Sequence, residues 1–220
     1  MEALKKQYIL FDLDGTLTDP ALGITNSLIY ALEKFGMQVG SREELYKFIG
    51  PPLVDMMMQE YGFSEEKAQQ GLAYYREYFS VKGLFENEVY SGIPKLLADL
   101  QKSGYKLVLA TSKPEKYAKQ ILEHFDLAKY FYFIGGSDMA ETRSTKEAVI
   151  EYDLAALGNP EPQSCIMVGD RKYDVIGSAE YGIACVGVLF GYGSRKELED
   201  ANAAYIAETV ADLGKILMDI

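Results

Sequence analysis

Nearly continuous apolar runs are the clearest pattern along this chain. They occur at residues 8–11 (YILF), 105–110, 164–169 and 183–190, with 130–136 (YFYFIGG) as a further candidate. A strand with one solvated face alternates apolar and polar residues, whereas a continuous apolar run indicates a strand buried on both faces. The pattern therefore predicts a parallel sheet covered by helices on both sides.

Amphipathic helices are predicted between these runs. Residues 93–103 and 114–125 carry helical periodicity and precede or follow the run at 105–110. Another helix is predicted to begin at a capping box of Ser144 and Glu147. Strands that alternate with helices predict an α/β fold with a doubly wound, Rossmann-like parallel sheet.

The interval after the first strand departs from this alternation. The first strand ends near residue 12, and the next is expected only near residue 105. In this interval, residues 17–88 contain several amphipathic helical segments and no convincing strand. We therefore predict an α/β catalytic core of residues 1–16 and 89–220, with a small helical cap domain inserted at 17–88.

Composition and charge narrow the choice of partners. The 220 residues are 48% hydrophobic and 25% charged, as in ordinary soluble proteins, and the net charge of −11 argues against nucleic acid or an anionic membrane as a partner. The two cysteines lack the spacing of a zinc site, and no apolar run is long enough to span a membrane. We expect a cytoplasmic protein without a signal peptide, present as a monomer or weak homodimer.

Polar residues follow three of the predicted strands. In doubly wound sheets ligands bind beyond the carboxyl ends of the strands, so residues at these positions converge in space. Here the residues that follow strands, together with a lysine in the first turn of the helix after residue 144, are Asp12, Asp14, Thr111, Ser112, Lys146, Asp170 and Asp174.

The acidic residues among them require a counter-charge. A phosphate dianion about 4 Å from a single carboxylate would be repelled by roughly 8 kcal/mol at an effective dielectric constant of about 20. A hard divalent cation, best Mg²⁺, would offset that repulsion. Asp12 and Asp14 lie on one side of an extended segment, so one can act as nucleophile and the other as general acid and base. Gly15 permits a sharp turn where backbone N–H groups approach an anion.

Each of these motifs also has a simpler interpretation. Asp-Gly is a common turn pair, Thr111 and Ser112 could cap the following helix, and Lys146 could be a solvated surface residue. A cation in the first turn opposes the helix dipole at a cost of a few tenths of a kcal/mol, whereas a bound phosphate would reverse that sign.

The order of the motifs distinguishes these interpretations. "DLDGTLTD", "LATSKP", the lysine of "STKE" and "GDRKYD" occur in the order of the four motifs of the haloacid dehalogenase superfamily. The resemblance spans essentially the whole chain and is closest to phosphoglycolate-phosphatase-like and nucleotidase-like hydrolases with a helical cap. It implies that Asp12 attacks phosphorus to form an aspartyl-phosphate, and that Asp14 protonates the leaving oxygen and later activates water.

The same resemblance implies a ligand set. Mg²⁺ would be held by Asp12, the backbone carbonyl of Asp14 and Asp170, with Asp174 as a further or indirect ligand. Thr111, Ser112 and Lys146 would hold the phosphoryl group, beside Gly15. The segment "FIGPPL" matches the position of a cap loop that faces the substrate, so Lys47 and Gly50 are candidate substrate contacts.

The expected activity is Mg²⁺-dependent hydrolysis of small phosphomonoesters, such as phosphoglycolate, a nucleoside monophosphate or a sugar phosphate. One alternative is a phosphomutase of the β-phosphoglucomutase kind, which returns the phosphoryl group to a sugar. Another is a phospho-accepting receiver module, although such modules are shorter and have no cap. A dehalogenase is disfavoured because its chemistry does not use an acid at position 14.

Overall fold

The computed structural model describes residues 6–140 and 142–220. Within them the chain forms two compact units, one comprising the residues up to Thr18 together with Val89–Ile220, and the other Asp19–Glu88. The sequence-based boundary at residue 17 lies two residues before the first crossing, and the second boundary coincides with the crossing at residue 89. We describe the α/β unit and the helical unit in turn.

The strands account for the apolar runs of the sequence. They are β1 (Tyr8–Phe11), β2 (Thr18–Asp19), β3 (Glu88–Val89), β4 (Lys106–Pro114), β5 (Phe131–Ser137), β6 (Cys165–Gly169), β7 (Ala184–Val188) and β8 (Tyr205–Ala207). Strands β2 and β3 pair with each other where the chain leaves and re-enters the α/β unit. The other six form a single parallel sheet in the order β5-β4-β1-β6-β7-β8.

Helices occupy the remaining segments. They are α1 (Ala21–Lys34), α2 (Leu53–Tyr61), α3 (Glu65–Tyr78), α4 (Ile93–Lys102), α5 (Glu115–His124), α6 (Lys146–Ala156), α7 (Lys172–Ala179), α8 (Arg195–Asp200) and α9 (Val210–Asp219). A 3₁₀-helix spans Arg42–Phe48, and a short π-helix spans Phe79–Gly83. In the part of the chain that the structure describes, no helix has the length and apolar character needed to cross a membrane.

Both faces of the six-stranded sheet are buried. On β1, Tyr8 and Leu10 pack against one core layer that includes Val149 of α6, while Ile9 and Phe11 point to the opposite face and are fully buried there. Because successive residues of a strand point to opposite faces, an apolar run without alternation is what two covered faces require. The predicted doubly wound α/β fold is confirmed.

The start of α6 differs from the prediction by one residue. Thr145, in extended backbone geometry, is the N-cap, and its side chain accepts a hydrogen bond from the backbone N–H of Ala148 at 3.4 Å. The predicted capping box of Ser144 and Glu147 is therefore wrong, because threonine one position later supplies the same capping chemistry. The shift makes Lys146 the first residue of the helix.

The helical unit is held together by close backbone packing and aromatic contacts. A Cβ atom on Gly23 would lie 2.0 Å from the carbonyl oxygen of Gly83, so α1 and the π-helix can approach only because both positions are glycine. The ring of Phe35 meets that of Phe63 edge-on, with centroids 5.2 Å apart, and that of Tyr74 at 5.4 Å. These contacts bury aromatic surface without burying charge.

Candidate active site

The ends of β1 and β6 bring two aspartates to one edge of the sheet. Phe11 pairs with Val168 in the parallel register, and the N–H of Asp12 continues that pairing by donating to the carbonyl oxygen of Val168 at 2.9 Å. Asp170 follows β6. Helix α7 begins two residues later, and Asp174 lies in its first turn. Strand pairing thus places together acids that are more than 150 positions apart in sequence.

Three of the acids form a buried cluster. Asp12, Asp170 and Asp174 are at most 5% exposed, and each offers a carboxylate oxygen within 4.8 Å of the other two. Burial raises the pKa of Asp170 well above its ordinary value, and the carboxylates of Asp174 and Asp12 raise it further. Burial also raises the pKa of Asp174 to about 6, against the opposing effect of Lys146. A nearby positive charge would therefore stabilise the ionised form of these carboxylates.

Glycines let the backbone approach these carboxylates. Gly15 has a φ of +83°, and a Cβ atom there would lie 2.2 Å from Oδ2 of Asp170. A Cβ atom on Gly169 would lie 2.1 Å from Cγ of Asp174. The N–H of Gly15 donates to the carbonyl oxygen of Thr18 at 2.8 Å, so this N–H is already engaged. The structure thus explains Gly15 by close packing, and its role toward phosphate stays a prediction.

The donor set of the cluster fits a divalent cation. Oδ2 of Asp170 accepts a hydrogen bond from the N–H of Tyr192 at 2.7 Å. Its other oxygen, Oδ1, is buried and has no hydrogen-bond partner among residues 6–140 and 142–220. A buried carboxylate oxygen without a donor is costly, and carboxylate oxygens are preferred ligands of Mg²⁺. Asp12, Asp170 and Asp174 would hold such an ion, whereas the backbone carbonyl of Asp14 stays a predicted ligand.

Lys146 supplies positive charge to the same cluster. Its Nζ lies 2.8 Å from Oδ1 of Asp12 and 2.8 Å from Oδ1 of Asp174, and it donates to the carbonyl oxygen of Ala110 at 2.8 Å. Burial lowers the pKa of Lys146, but Asp12 and Asp174 together outweigh burial and raise the pKa above its ordinary value. The side chain is only 4% exposed, so the alternative of a solvated surface lysine is wrong. Its contact with a phosphoryl group stays a prediction.

A second buried ion pair holds Asp14. The ammonium of Lys113 donates to Oδ2 of Asp14, and the side chains are 5% and 11% exposed. Burial raises the pKa of Asp14, while Lys113 lowers it. Lys113 was not among the predicted site residues. The available signal was its position two residues after Thr111, which in a strand places both side chains on the same face.

Thr111 and Ser112 lie within β4 rather than after it. The hydroxyl of Thr111 accepts a hydrogen bond from the N–H of Lys113 at 3.2 Å. Helix α5 begins at Glu115, and its N-cap is Pro114, whose side chain makes no capping hydrogen bond. The alternative in which Thr111 and Ser112 cap this helix is therefore wrong. Their contacts with phosphate stay predictions.

The two predicted substrate contacts lie in the helical unit. Lys47 belongs to the 3₁₀-helix, forms an ion pair with Glu60 and has a side chain that is 48% exposed. Gly50 follows this segment with a φ of +108°, a conformation that favours glycine. The role of both residues toward substrate stays a prediction.

Comparison with known families identifies this arrangement. The family model described as "Haloacid dehalogenase-like hydrolase" matches residues 9–188, which include all of the acids above and both lysines of the ion pairs. The chain belongs to this family. It is therefore a hydrolase, and the resemblance drawn from the four motifs is confirmed.

Relatives carry several activities in their names. A 5'-nucleotidase from Pseudomonas aeruginosa is 43% identical over 215 residues, covering 98% of this chain and 97% of that protein. Tyrosine-protein kinase PtkA from Mycobacterium tuberculosis is 37% identical over 213 residues, covering 96% and 72%. A phosphoglycolate phosphatase from Pseudomonas savastanoi is 29% identical over 216 residues, covering 95% and 78%.

A solved structure agrees with the fold over nearly all of the chain. The crystal structure of a predicted phosphatase from Clostridium acetobutylicum superposes with a TM-score of 0.96 at 49% identity, and the match covers 99% of this chain and 100% of that one. Likeness at this level extends to both the α/β unit and the helical unit, each of which is included in the match.

Proposed function

We propose that this hydrolase is a Mg²⁺-dependent phosphatase that acts on small phosphomonoesters through an aspartyl-phosphate formed on Asp12. The observation that carries the proposal is the buried group of Asp12, Asp170 and Asp174, with one oxygen from each within 4.8 Å of the others. Such a group is costly to bury and fits a hard divalent cation. The relatives named 5'-nucleotidase and phosphoglycolate phosphatase support a phosphate ester as substrate.

The first half of the reaction uses Asp12 and Asp14. A carboxylate oxygen of Asp12 forms a bond to phosphorus while the bond from phosphorus to the leaving oxygen breaks. Asp14, as a carboxylic acid, gives its proton to that oxygen, so the product leaves as a neutral alcohol. Burial raises the pKa of Asp14, which favours the protonated form that this step requires.

The second half returns the site to its starting state. Asp14, now a carboxylate, takes a proton from water while the water oxygen bonds to phosphorus and the bond to Asp12 breaks. Inorganic phosphate leaves, and Asp14 is again protonated. Lys146 orients the Asp12 carboxylate through Oδ1 in both steps. When bound, Mg²⁺ supplies the positive charge that offsets repulsion between the aspartates and the phosphate dianion.

The acceptor of the phosphoryl group distinguishes this proposal from its alternatives. Water is the acceptor in a phosphatase, a sugar in a phosphomutase, and the first half-reaction is the same in both. The relatives are not all named as hydrolases. The name of one, tyrosine-protein kinase PtkA, implies transfer of a phosphoryl group to tyrosine instead of water. We propose water, because the family is one of hydrolases and the most similar of the relatives above is a nucleotidase.

A phosphate-release screen tests the activity. The purified protein is incubated with phosphoglycolate, nucleoside monophosphates, sugar phosphates and pyrophosphate, with Mg²⁺ or with excess EDTA. We expect release from at least one ester with Mg²⁺ and none with EDTA. Isomerisation of glucose 1-phosphate without release would instead establish the phosphomutase. Full release in EDTA would contradict the metal requirement.

Direct binding tests the metal site independently of turnover. Isothermal titration calorimetry with Mg²⁺ should show one site in the wild-type protein and none in Asp170→Asn, which keeps the shape but loses the charged ligand. Asp99→Asn is the matched control, because Asp99 pairs with Lys95 on the solvent side of α4. Equal Mg²⁺ affinity in the wild-type protein and Asp170→Asn would remove the cluster as the site.

A small phosphate ester is the proposed partner, and nucleic acid and membranes are not expected to bind. The net charge of −11 supports this choice, because a strongly acidic surface repels polyanions. The cytoplasmic location and the monomeric or weakly dimeric state stay predictions. Size-exclusion chromatography with light scattering would measure the second of these directly.

A further inference from the structure

The two aspartates of the first motif are each paired with a different lysine. Asp12 pairs with Lys146 at the start of α6, and Asp14 pairs with Lys113 near the end of β4. Lys113 lies within the motif "LATSKP", but the resemblance gave a role to Lys146 and none to Lys113. A buried lysine loses the hydration of its ammonium, and that cost is recovered only through a well-placed partner. For Lys113 that partner is Asp14.

The backbone near Lys113 directs its side chain toward Asp14. Lys113 lies two residues after Thr111 on β4, so the two side chains share a face, and both are buried. The pairing of β4 with β5 shifts between Thr111 and Pro114, and the Thr111 hydroxyl accepts from the N–H of Lys113. The backbone of Lys113 is thus held by the Thr111 hydroxyl at the strand end, and its ammonium reaches Asp14.

Lys113 engages only one of the two oxygens of Asp14. Its ammonium donates to Oδ2, whereas Oδ1 is buried and has no hydrogen-bond partner in the described residues. A hydrogen bond at one oxygen restricts rotation of a carboxyl group about its Cβ–Cγ bond, so it also restricts the direction in which the other oxygen points. For a proton donor that direction matters, because proton transfer requires hydrogen-bond geometry to the leaving oxygen.

We propose that Lys113 is a positioning residue that holds the Asp14 carboxyl group by Oδ2 and presents Oδ1 to the leaving oxygen and to the attacking water. This inference rests on the proposed function, since it assigns Asp14 as general acid and base. Lys113 does not contact the phosphoryl group in this role. Its loss should therefore affect proton transfer and leave binding of the phosphoryl group unchanged.

The leaving group of the substrate reports on proton transfer. AMP is an alkyl ester whose leaving oxygen needs a proton, whereas p-nitrophenyl phosphate releases an oxygen that is stable as an anion. A general acid that is poorly oriented therefore slows hydrolysis of AMP much more than that of p-nitrophenyl phosphate. A variant that is merely less stable slows both esters equally, because it lowers only the amount of folded enzyme.

The test compares kcat/KM for both esters, with Mg²⁺ present, in the wild-type protein, Lys113→Met and Asp14→Asn. We expect Lys113→Met to lower kcat/KM for AMP by about 10²-fold, the usual cost of a misplaced catalytic group. For p-nitrophenyl phosphate we expect a fall of less than about tenfold. Asp14→Asn should give the same order of preference, and inhibition by inorganic phosphate should be unchanged in Lys113→Met.

Two further variants guard against an effect on folding. Lys113→Arg keeps the charge in a different shape, so it should recover part of the AMP activity, and it is informative even where Lys113→Met does not fold. Lys95→Met removes an exposed lysine that pairs with Asp99 on α4, and it should leave both esters unchanged. Thermal unfolding of each variant gives the fraction that is folded at the assay temperature.

The contradicting outcomes are distinct. An equal fall for both esters, weaker inhibition by inorganic phosphate, or activities equal to those of Lys95→Met would overturn the role of Lys113. Where the screen above finds another alkyl ester to be hydrolysed faster than AMP, that ester replaces AMP in the comparison. The absence of phosphate release by the wild-type protein from p-nitrophenyl phosphate and from every ester of that screen would instead overturn the proposed function. Failure of the inference and failure of the function are therefore separate results of one experiment.

Discussion

The two units of this protein bury different kinds of side chain. Among the described residues, the buried charged side chains all lie in the α/β unit: Asp12, Asp14, Lys113, Lys146, Asp153, Asp170 and Asp174. The buried polar side chains of the helical unit are Thr25 and Ser27, which are uncharged. Each of these two hydroxyls donates to a carbonyl oxygen one helical turn earlier, Thr25 to Ala21 and Ser27 to Gly23. The helical unit thus buries no charged side chain, although Oδ1 of Asn87 is buried there without a hydrogen-bond partner among the described residues.

The difference shows which unit bears the free-energy cost of burying charged side chains. Removing a charged group from water costs several kcal/mol, even after pairing recovers part of it. A core built only for stability has no need of such groups, as the aromatic packing of the helical unit illustrates. The concentration of buried charge at the strand ends of the α/β unit therefore indicates chemistry. Asp153 of α6 is an exception, because neither of its carboxylate oxygens has a hydrogen-bond partner among the described residues.

The largest expected effect is the loss of activity in Asp12→Asn. The amide is a poor nucleophile, so phosphate release should fall by at least about 10⁴-fold, as for removal of other catalytic nucleophiles. The protein should remain folded, because asparagine keeps the shape of the side chain and can still accept a hydrogen bond from Lys146. Activity is measured by phosphate release and folding by circular dichroism. Activity close to that of the wild-type protein would exclude Asp12 as the nucleophile.

A large effect on stability is expected from Asp153→Asn. Asp153 is fully buried, neither carboxylate oxygen has a hydrogen-bond partner among the residues described, and burial raises its pKa to about 8. Its folded-state pKa thus lies above the unfolded-state value, so the protein loses stability as pH rises between about 4 and about 8. The loss amounts to about 1.4 kcal/mol per pH unit.

Asparagine cannot ionise, so Asp153→Asn should be increasingly more stable than the wild-type protein as pH rises through that range. Urea unfolding at pH 5, 6, 7 and 8 measures the difference in the free energy of unfolding. Asp99→Asn, at an exposed position, is the control and should show little pH dependence relative to the wild-type protein. A difference that is constant with pH would contradict the buried-acid explanation.

The next effect in size is expected from Phe63→Ala, which should lower the free energy of unfolding without weakening metal binding. Phe63 packs against Phe35 and lies 5.7 Å from the ring of Tyr61, and the ammonium of Lys67 sits 3.9 Å above its ring. Truncating a buried aromatic side chain costs about 3 kcal/mol. Urea unfolding measures that cost, and calorimetry should give an unchanged Mg²⁺ affinity. A weaker Mg²⁺ affinity would contradict the expectation that Phe63 contributes to stability alone.

The smallest effect is expected from Lys47→Ala. The exposed ion pair of Lys47 with Glu60 contributes about 0–1 kcal/mol, so stability should hardly change. The predicted substrate contact would instead appear as a rise of KM with an unchanged kcat, and Lys95→Ala is the matched surface control. An unchanged KM for every ester that the enzyme hydrolyses would remove Lys47 from the substrate site.

Much of the α/β unit was predictable because burial on both faces leaves a local pattern. The run at 8–11 became β1 without any shift, and the run at 164–169 differs from β6 by a single residue. Strand β8 was missed because Tyr205–Ala207 is too short to show a run. The start of α6 was displaced because Ser144 and Thr145 have similar capping chemistry, and only the backbone conformation decides between them.

The sequence by itself determined the fold class, the family and the acids at the strand ends, since all three depend on local order along the chain. Only the tertiary structure decided which charges meet. Lys146 is shared by Asp12 and Asp174, and Lys113 is held by Asp14. The reason is physical: an ion pair depends on distance in space, and strand pairing creates those distances between residues that no local pattern connects.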